Sequence, residues 1–131
     1  MSLFHAIDTA ATGVGLGRFW LDTTSDNIAN LNTVRAGGEE PFRARMVVAQ
    51  SRGGLEGVRV TELRLKGGDP ELHHDPTNPL ADDRGYVTRP NVELSEEMTS
   101  VLMASRLYQA NLAVIRAAQD SYSAALQLGR R

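Results

Sequence analysis

The stretch LSEEMTSVLMASRLYQANLAVIRAAQDSYSAALQL, residues 94–128, repeats an apolar residue at every seventh position. The main row of this repeat consists of Leu94, Val101, Tyr108, Ile115 and Tyr122. A second row lies beside it and consists of Met98, Leu112 and Leu126. A seven-residue apolar repeat makes a narrow seam along one side of a helix, and such a seam packs lengthwise against another helix. The pattern therefore predicts a long C-terminal helix that requires a helical partner.

The N-terminal part of the chain, residues 3–31, carries a matching repeat. Its main row consists of Ile7, Val14, Leu21 and Ile28, and a neighbouring row consists of Leu3, Ala10 and Leu31. We therefore expect an α+β protein. Its long N- and C-terminal helices pack as a coiled coil, and a short β-rich segment, rich in proline and glycine, lies between them.

The length of the chain limits how much of these seams one molecule can bury. A compact domain of 131 residues has a radius of gyration of about 14 Å. A helix over residues 94–128 is about 52 Å long. The chain has three Phe, three Tyr and one Trp, so a large core of its own is not expected. We expect an elongated molecule whose terminal helices bury part of their seams on neighbours and gain order by binding.

Charge and composition exclude several classes of function. The formal net charge is -2, and acidic and basic residues are interspersed; apart from Lys66 all cations are arginine. Arg43 and Arg45 are residues of a type that binds phosphate, but the preferred interpretation is that they lie on a solvated face of a strand. We expect no nucleic acid partner. There is no cysteine, hence no disulfide and no thiolate metal site. We expect no membrane-spanning segment and no cleavable secretory signal, because Asp8 and Thr9 interrupt the first apolar run.

The middle of the chain has the pattern of strands and turns. Alternating apolar and polar residues predict strands over residues 42–50 and 57–65, separated by glycines. Four prolines lie within residues 70–90, and only residues 86–88 have strand character there. The expected segments are therefore 1–33 for the N-terminal helix, 34–90 for the middle and 91–131 for the C-terminal helix. Asn91 or Ser95 is expected to cap the last helix.

Several residues resemble chemical sites without matching one. Gly13, Gly15 and Gly17 resemble half of a dinucleotide-binding motif, but no strand precedes them. The preferred interpretation is a thin stretch of helix that lets a neighbouring backbone come close. His73 and His74 are adjacent, so on an extended segment they point to opposite sides, and a solvated loop is preferred over a metal site. Asp69, Asp75, Asp82 and Asp83 are interpreted as turn-capping carboxylates. We expect no enzyme activity, cofactor or metal.

Three asparagines, Asn27, Asn30 and Asn32, follow the first seam and have two interpretations. Asparagine ends helices well, so they can form a C-terminal cap that leads into the loop. Alternatively their amides bond a neighbouring subunit and set its register, as buried polar groups do in coiled coils.

The same residues carry a family resemblance. SDNIANLNT (residues 25–33) resembles the N-terminal signature of bacterial flagellar rod, hook and related axial proteins. HDPTNPLADDRGYVTRPNV (residues 74–92) is similar to the proximal rod protein of the FlgC type, as are EEM (96–98) and ASRLYQAN (104–111) in the last helix. The residues that mark the family-signature loop are Asp75, Pro76, Pro79, Gly85, Tyr86, Pro90 and Asn91.

The resemblance implies a structural subunit of the flagellar basal-body proximal rod, exported through the flagellar type III export apparatus and assembled in the periplasm. Its terminal helices would form the inner coiled-coil layer of a torque-transmitting tube around the export channel. The implied partners are copies of itself, other rod subunits, the rod-to-ring adapter and the membrane ring. The alternative is a soluble helical adapter that docks its seams on one regulatory partner.

For the rod subunit we expect contacts between subunits through seam residues and amides. These candidate interface residues are Ile7, Val14, Leu21, Asn27, Ile28, Asn30, Val101, Tyr108, Asn111, Leu112, Ile115 and Tyr122.

Overall fold

The computed structural model describes residues 3–36 and 38–129. Met1, Ser2, Gly37, Arg130 and Arg131, which include the outer ends of the two predicted terminal segments, lie outside the described residues. The chain forms helix α1 (Leu3–Ala29), strands β1 (Arg45–Ser51), β2 (Val58–Leu65), β3 (Glu71–His74) and β4 (Tyr86–Arg89), and helix α2 (Leu94–Leu128). Two long helices with a small β middle confirm the predicted α+β class.

The two helices lie side by side and run in opposite directions. Phe4 near the start of α1 stacks edge-on against Tyr122 near the end of α2, with ring centroids 5.6 Å apart. Asn27 near the end of α1 bonds Glu97 in the first turn of α2. The antiparallel pair is the frame of the molecule, and neither described helix is long and apolar enough to cross a membrane.

The ends of the helices differ in part from the prediction. Asn30 donates its side-chain Nδ2 to the carbonyl of Asp26 at 2.9 Å, which confirms its capping role at the end of α1. The expectation that Asn91 or Ser95 caps α2 was wrong. Glu93 occupies the N-cap position without a side-chain cap hydrogen bond. Its backbone carbonyl accepts the N–H of Glu97 instead, at 3.1 Å.

Strands β1 and β2 form an antiparallel hairpin that lies along α1. Thr9 and Thr12 hold its tip, because the Thr9 hydroxyl donates to the carbonyl of Leu55 and the Thr12 hydroxyl accepts the N–H of Val58. Asn27 holds its base through Arg45. Helix α1 rises about 22 Å from Thr12 to Asn27. A strand of the length of β1 spans about 20 Å, so the hairpin is long enough to reach both contacts.

Strands β3 and β4 form a second small antiparallel sheet. Arg35 extends it by a bridge, exchanging backbone hydrogen bonds of 3.0 and 3.1 Å with Thr88. The prediction that residues 71–91 contain strand only at 86–88 missed β3. All four β3 residues are exposed, so pairing with β4 rather than side-chain burial makes them a strand.

The apolar core of the described chain consists of small side chains. The buried hydrophobic residues are Ala10, Ala44, Val87, Ala104 and Ala118. The largest fully buried side chains are Glu97, Val87 and Asn27, so two of these three are polar. Because the apolar area removed from water sets the hydrophobic stabilisation, a core of alanines stabilises a chain of this length weakly.

Two glycines let the helices approach each other. A Cβ on Gly17 would lie 3.0–3.1 Å from the Cβ, Cα and N of Tyr108, and a Cβ on Gly13 would lie 2.5 Å from the side chain of Asn111. Gly15, on the other side of α1, has nothing within 4 Å of that position. The prediction that these glycines admit a neighbouring backbone is confirmed at Gly17, and the neighbour is the chain's own second helix.

The variants Gly15→Leu and Gly17→Leu separate this packing from helix propensity. Replacing a helix-interior glycine stabilises a helix by roughly 0.8 kcal/mol in either case. At Gly17 the new side chain also meets the backbone of α2, and overpacking costs about 1–3 kcal/mol. We expect far-UV circular dichroism to show more helix for Gly15→Leu and less for Gly17→Leu. Equal changes in the two variants would contradict the close approach of the helices.

Candidate subunit interface and buried polar cluster

A buried polar cluster joins both helices and the hairpin at one end of the molecule. We define it as Asn27, Lys66, Glu97 and the backbone of Arg45. Asn27 donates Nδ2 to the carbonyl of Arg45 at 2.8 Å, and its Oδ1 accepts the Arg45 N–H at 2.9 Å. The Asn27 amide thus pairs with the backbone of β1 much as a neighbouring strand would, and attaches the hairpin to α1.

The carboxylate of Glu97 is the charged centre of this cluster. Glu97 is 1% exposed. Its Oε2 accepts from Asn27 Nδ2 at 3.1 Å and its Oε1 accepts from Lys66 Nζ at 2.7 Å. Lys66 also lies 3.1 Å from the exposed carboxylate of Glu96. A charge buried this deeply is tolerated only when it is paired and hydrogen-bonded, and both conditions are met here.

The electrostatics of Lys66 agree with this geometry. Burial acts to lower the pKa of Lys66, but the hydrogen bonds and charges of Glu97 and Glu96 outweigh it, and the pKa is raised. The folded protein therefore holds the protonated ammonium, and its contribution to stability persists until the pH rises through the raised pKa.

Sequence reasoning did not find this cluster. Lys66 is the only lysine among fourteen cationic residues, and that is its one distinguishing signal. Glu97 has the appearance of an ordinary acidic residue in the first turn of a helix. Asn27 was singled out for its amide, and the amide is used within the chain. Its role between subunits stays a prediction.

The family-signature loop is ordered by two aspartates, one at its start and one near its middle. Asp75 Oδ1 accepts from the Thr77 hydroxyl at 2.8 Å, and Asp82 Oδ1 accepts the N–H groups of Arg84 and Tyr86 at 2.9 Å each. Hydrogen bonds from the side chains of Thr77 and Asn78 lower the pKa of Asp75. The hydrogen bond from the backbone N–H of Tyr86 is the main cause of the lowered pKa of Asp82. The predicted turn-capping role of these carboxylates is confirmed.

Other residues of the signature loop have backbone and packing roles. Gly85 is buried with φ at +79°, and a Cβ there would lie 3.0 Å from the Cβ of Pro76. Tyr86 stacks edge-on against His74 with ring centroids 4.9 Å apart. Pro90 is buried after β4, while Asn91 is exposed. No group of three His, Asp or Glu side chains in the described ranges is placed to hold a metal ion.

The predicted interface residues on the helices are mostly half-buried. This holds for Ile7, Val14, Leu21, Ile28, Asn30, Val101, Tyr108, Asn111, Leu112 and Ile115, whereas Asn27 is buried and Tyr122 is exposed. Asn111 donates Nδ2 to the carbonyl of Leu107 in its own helix. Contacts of these residues with another subunit stay a prediction.

Many large apolar side chains of the helices are exposed. Those at least 38% exposed are Phe4, Phe19, Leu94, Met98, Leu102, Met103, Val114, Tyr122, Leu126 and Leu128. Scattered exposed apolar residues are ordinary, but here eight of the ten lie on α2 and recur along its length, while alanine and glycine residues are buried. Exposed apolar residues concentrated in this way favour association with other helices.

Comparison with known proteins places this geometry in context. Residues 83–128 match the family model described as the C-terminal part of the flagellar basal body rod FlgEFG proteins. The chain is 31% identical to the flagellar basal-body rod protein FlgC of Bacillus subtilis, over 99% of this chain and 100% of that one. It is 36% identical to FlgC of Yersinia enterocolitica, again over 99% of this chain and 100% of the relative. It is 38% identical to FlgC of Aquifex aeolicus over 86% of each chain.

Removing one partner of the buried ion pair tests the polar cluster. We expect Lys66→Met alone to destabilise the chain by about 3–5 kcal/mol, because the charge of Glu97 is then buried without its partner. Glu97→Met should destabilise the chain less, because Lys66 keeps its ion pair with Glu96. The double variant is expected to recover most of the helix content seen by circular dichroism. Arg64→Met is the control, since the Arg64–Glu62 pair on β2 is exposed and should contribute little. Single variants that resemble this control would contradict the account.

Amide hydrogen exchange tests the capping role of Asp82 in the signature loop. Because the pKa values of Asp75 and Asp82 are lowered on folding, their contribution is present above the free aspartate value of about 3.9 and is lost as pH falls through the lowered values. At mildly acidic pH we expect Asp82→Ala to speed hydrogen exchange of the Arg84 and Tyr86 amides, while Asp83→Ala leaves them unchanged. Equal effects of the two variants would refute the capping role.

Proposed function

The chain belongs to the FlgC family of flagellar basal-body rod proteins, and we propose that it is a structural subunit of the proximal part of that rod. The observation that carries this proposal is identity to FlgC proteins along nearly the whole chain. The outward-facing apolar side chains of α1 and α2 support it, since a subunit of a tube must bury such residues on its neighbours. The family is one of structural proteins, not enzymes.

We infer that the terminal helices build the inner layer of the rod. In this proposal segments 1–33 and 91–131 pack as coiled coils around the export channel, and segment 34–90 lies outside them. The candidate interface residues on the two seams bury their remaining exposed surface on neighbouring subunits. Stiffness under torque then comes from long helices in lateral contact, each held by several others.

The weakness of the subunit's own core has a functional consequence. Its buried apolar residues are four alanines and one valine among the described residues, while ordering each residue costs about 1–2 kcal/mol in backbone entropy. We propose that the free subunit is marginally stable and that the helices become fully ordered only when the rod lattice covers their apolar faces. A marginal fold also suits a chain that is exported unfolded.

The polar cluster supplies the shape that the lattice builds on. It fixes the β1–β2 hairpin to α1 and α2 at one end, so this part of the middle segment is held on the helix pair. We propose that this prevents the outer part from swinging relative to the inner helices when the rod turns.

The proposed partners are other rod subunits, copies of this chain, the rod-to-ring adapter and the membrane ring. We place the protein in the periplasmic rod and propose that it arrives through the flagellar type III export apparatus without a cleavable signal peptide. The alternative of a soluble adapter for one regulatory partner has no support among the relatives, which are named as rod proteins.

Leu112→Asp tests the role of the helix seams. We expect the variant to be synthesised and exported but to be absent from purified basal bodies, and the cells to be non-motile, because a charge placed in an apolar contact loses its hydration. Ala110→Asp is the matched control, since position 110 lies away from position 112 on the helix. Motile cells that carry Leu112→Asp in their basal bodies would overturn the packing claim.

A further inference from the structure

Each of the two small sheets has one edge that the chain covers and one edge that it leaves open. The covered edge of the first sheet is β1, which Asn27 holds through the backbone of Arg45. The covered edge of the second sheet is β4, where Thr88 forms a bridge with Arg35. Strands β2 and β3 form the other edges, and each has a single neighbouring strand. An unpaired edge presents N–H and C=O groups to which a further strand can bind.

The alternation of the antiparallel ladder identifies the open backbone groups of β2. Arg45 uses both its N–H and its C=O to bond Asn27, so its partner Leu65 directs its own two groups away from β1. Leu63, opposite Val47, lies two residues earlier and faces the same way. In the part of the chain that the structure describes, neither leucine has a backbone hydrogen-bond partner on this outer side.

The open groups of β3 follow from the same alternation. Thr88 exchanges both of its backbone groups with Arg35, and Tyr86 uses both of its own within the signature loop. Their β3 partners, Leu72 and His74, therefore direct their N–H and C=O groups to the outer side of the sheet. Each open edge thus has two residues with free backbone groups, spaced two positions apart.

We propose that the open edge of β2 in one subunit pairs antiparallel with the open edge of β3 in a second copy of this chain. Leu65 then lies opposite Leu72, and Leu63 lies opposite His74, because this register uses both open residues of each edge. The inference rests on the proposed rod function. It adds a backbone contact between the middle segments of neighbouring subunits.

The pairing joins two small sheets and covers apolar side chains that the subunit leaves in water. Leu65 is 52% exposed and Leu72 is 65% exposed. Directly opposite residues have Cβ atoms about 5 Å apart, so these leucines contact each other in the pair. Among the helices and strands of the described chain, β3 contacts only β4. A two-stranded sheet is marginal in water, and pairing across subunits makes it part of a sheet of four strands.

Charges along the two edges are complementary in this register. Arg64 lies diagonally across from Glu71, and Lys66, which directly follows β2, lies opposite Glu71. Opposite charges at such positions stabilise a strand pair. Glu62 faces Asp75, a like charge, but Asp75 lies beyond the end of β3 and its carboxylate is hydrogen-bonded within the signature loop.

Pairing between two identical edges fits less well. If β2 paired with β2 of another copy through the same open residues, Arg64 would lie directly opposite Arg64, and like charges there are destabilising. A symmetric pair also closes after two chains. Pairing of β2 with β3 leaves one open edge at each end, so the contact repeats from copy to copy as a rod subunit requires.

Cysteine cross-linking in the assembled rod tests the proposal. The chain contains no cysteine, so two full-length variants produced in the same cells, Leu65→Cys and an epitope-tagged Leu72→Cys, carry one thiol each. We expect mild oxidation of isolated basal bodies to link them into a species of two chain lengths. Directly opposite Cα atoms in such a pair are about 5.5 Å apart, and a disulfide requires less than about 7 Å. The matched control is Leu63→Cys with tagged Leu65→Cys, which both lie on β2 and should stay at one chain length.

The outcomes separate this proposal from the rod function itself. If both variants are present in basal bodies but stay at one chain length, or link to a protein of another mass, the edge pairing is overturned and the rod function stands. A link in the control indicates that β2 pairs with β2 and also overturns the proposal. Absence of the unsubstituted chain from basal bodies overturns the rod function.

Amide hydrogen exchange of the unsubstituted chain gives an independent decision, which also applies if the cysteine variants are not incorporated. The amides at positions 63, 65, 72 and 74 have no acceptor on the open edges, so we expect them to exchange fast in the isolated subunit. In purified basal bodies the same four amides should lose this fast exchange, because each then donates to the paired strand. Fast exchange that persists in the rod, or protection already present in the isolated subunit, overturns the proposal.

Discussion

The carboxylate of Glu97 is almost completely buried, and its need for partners determines how the elements of the chain meet. Lys66 reaches it from the end of β2, and Asn27 reaches it from α1 while holding the backbone of β1. Four elements therefore converge on one charge. Without this cluster the hairpin would keep its contacts with Thr9 and Thr12 and the ion pair between Arg45 and Asp26, but it would lose the buried hydrogen bonds that join it to both helices. The buried part of the attachment between the hairpin and the helix pair depends on this cluster.

Away from the cluster the helices hold each other through small residues. Gly17 brings the backbones close at Tyr108, and Ala10, Ala104 and Ala118 are buried elsewhere along the two helices. Close approach leaves little space for large side chains between the helices, so many leucines and methionines stay exposed, whereas Leu21, Tyr108 and Leu112 are half-buried. The same packing therefore explains both a weak core and an apolar exterior. In our account assembly into the rod supplies the burial that the single chain lacks.

The sequence was informative where the relevant signal is local. The seven-residue repeats predicted α1 and α2 closely, and glycine-flanked alternation predicted the β1–β2 hairpin. Strand β3 was missed because Glu71 to His74 have no strand pattern and are ordered by pairing with β4. The polar cluster was missed because Asn27 and Glu97 are 70 residues apart, and nothing in a single sequence joins them. The family resemblance identified the signature loop, whereas its capping hydrogen bonds follow from ordinary turn chemistry at Asp75 and Asp82.

The central claim is that the terminal helices gain much of their stability from neighbouring subunits. Amide hydrogen exchange of the full-length chain, compared between the isolated subunit and purified basal bodies, tests it most directly. Our account predicts fast exchange over most of α1 and α2 in the isolated subunit, with the slowest amides near the polar cluster, and strong protection of both helices in the rod. Strong protection of both helices already in the isolated subunit would contradict it.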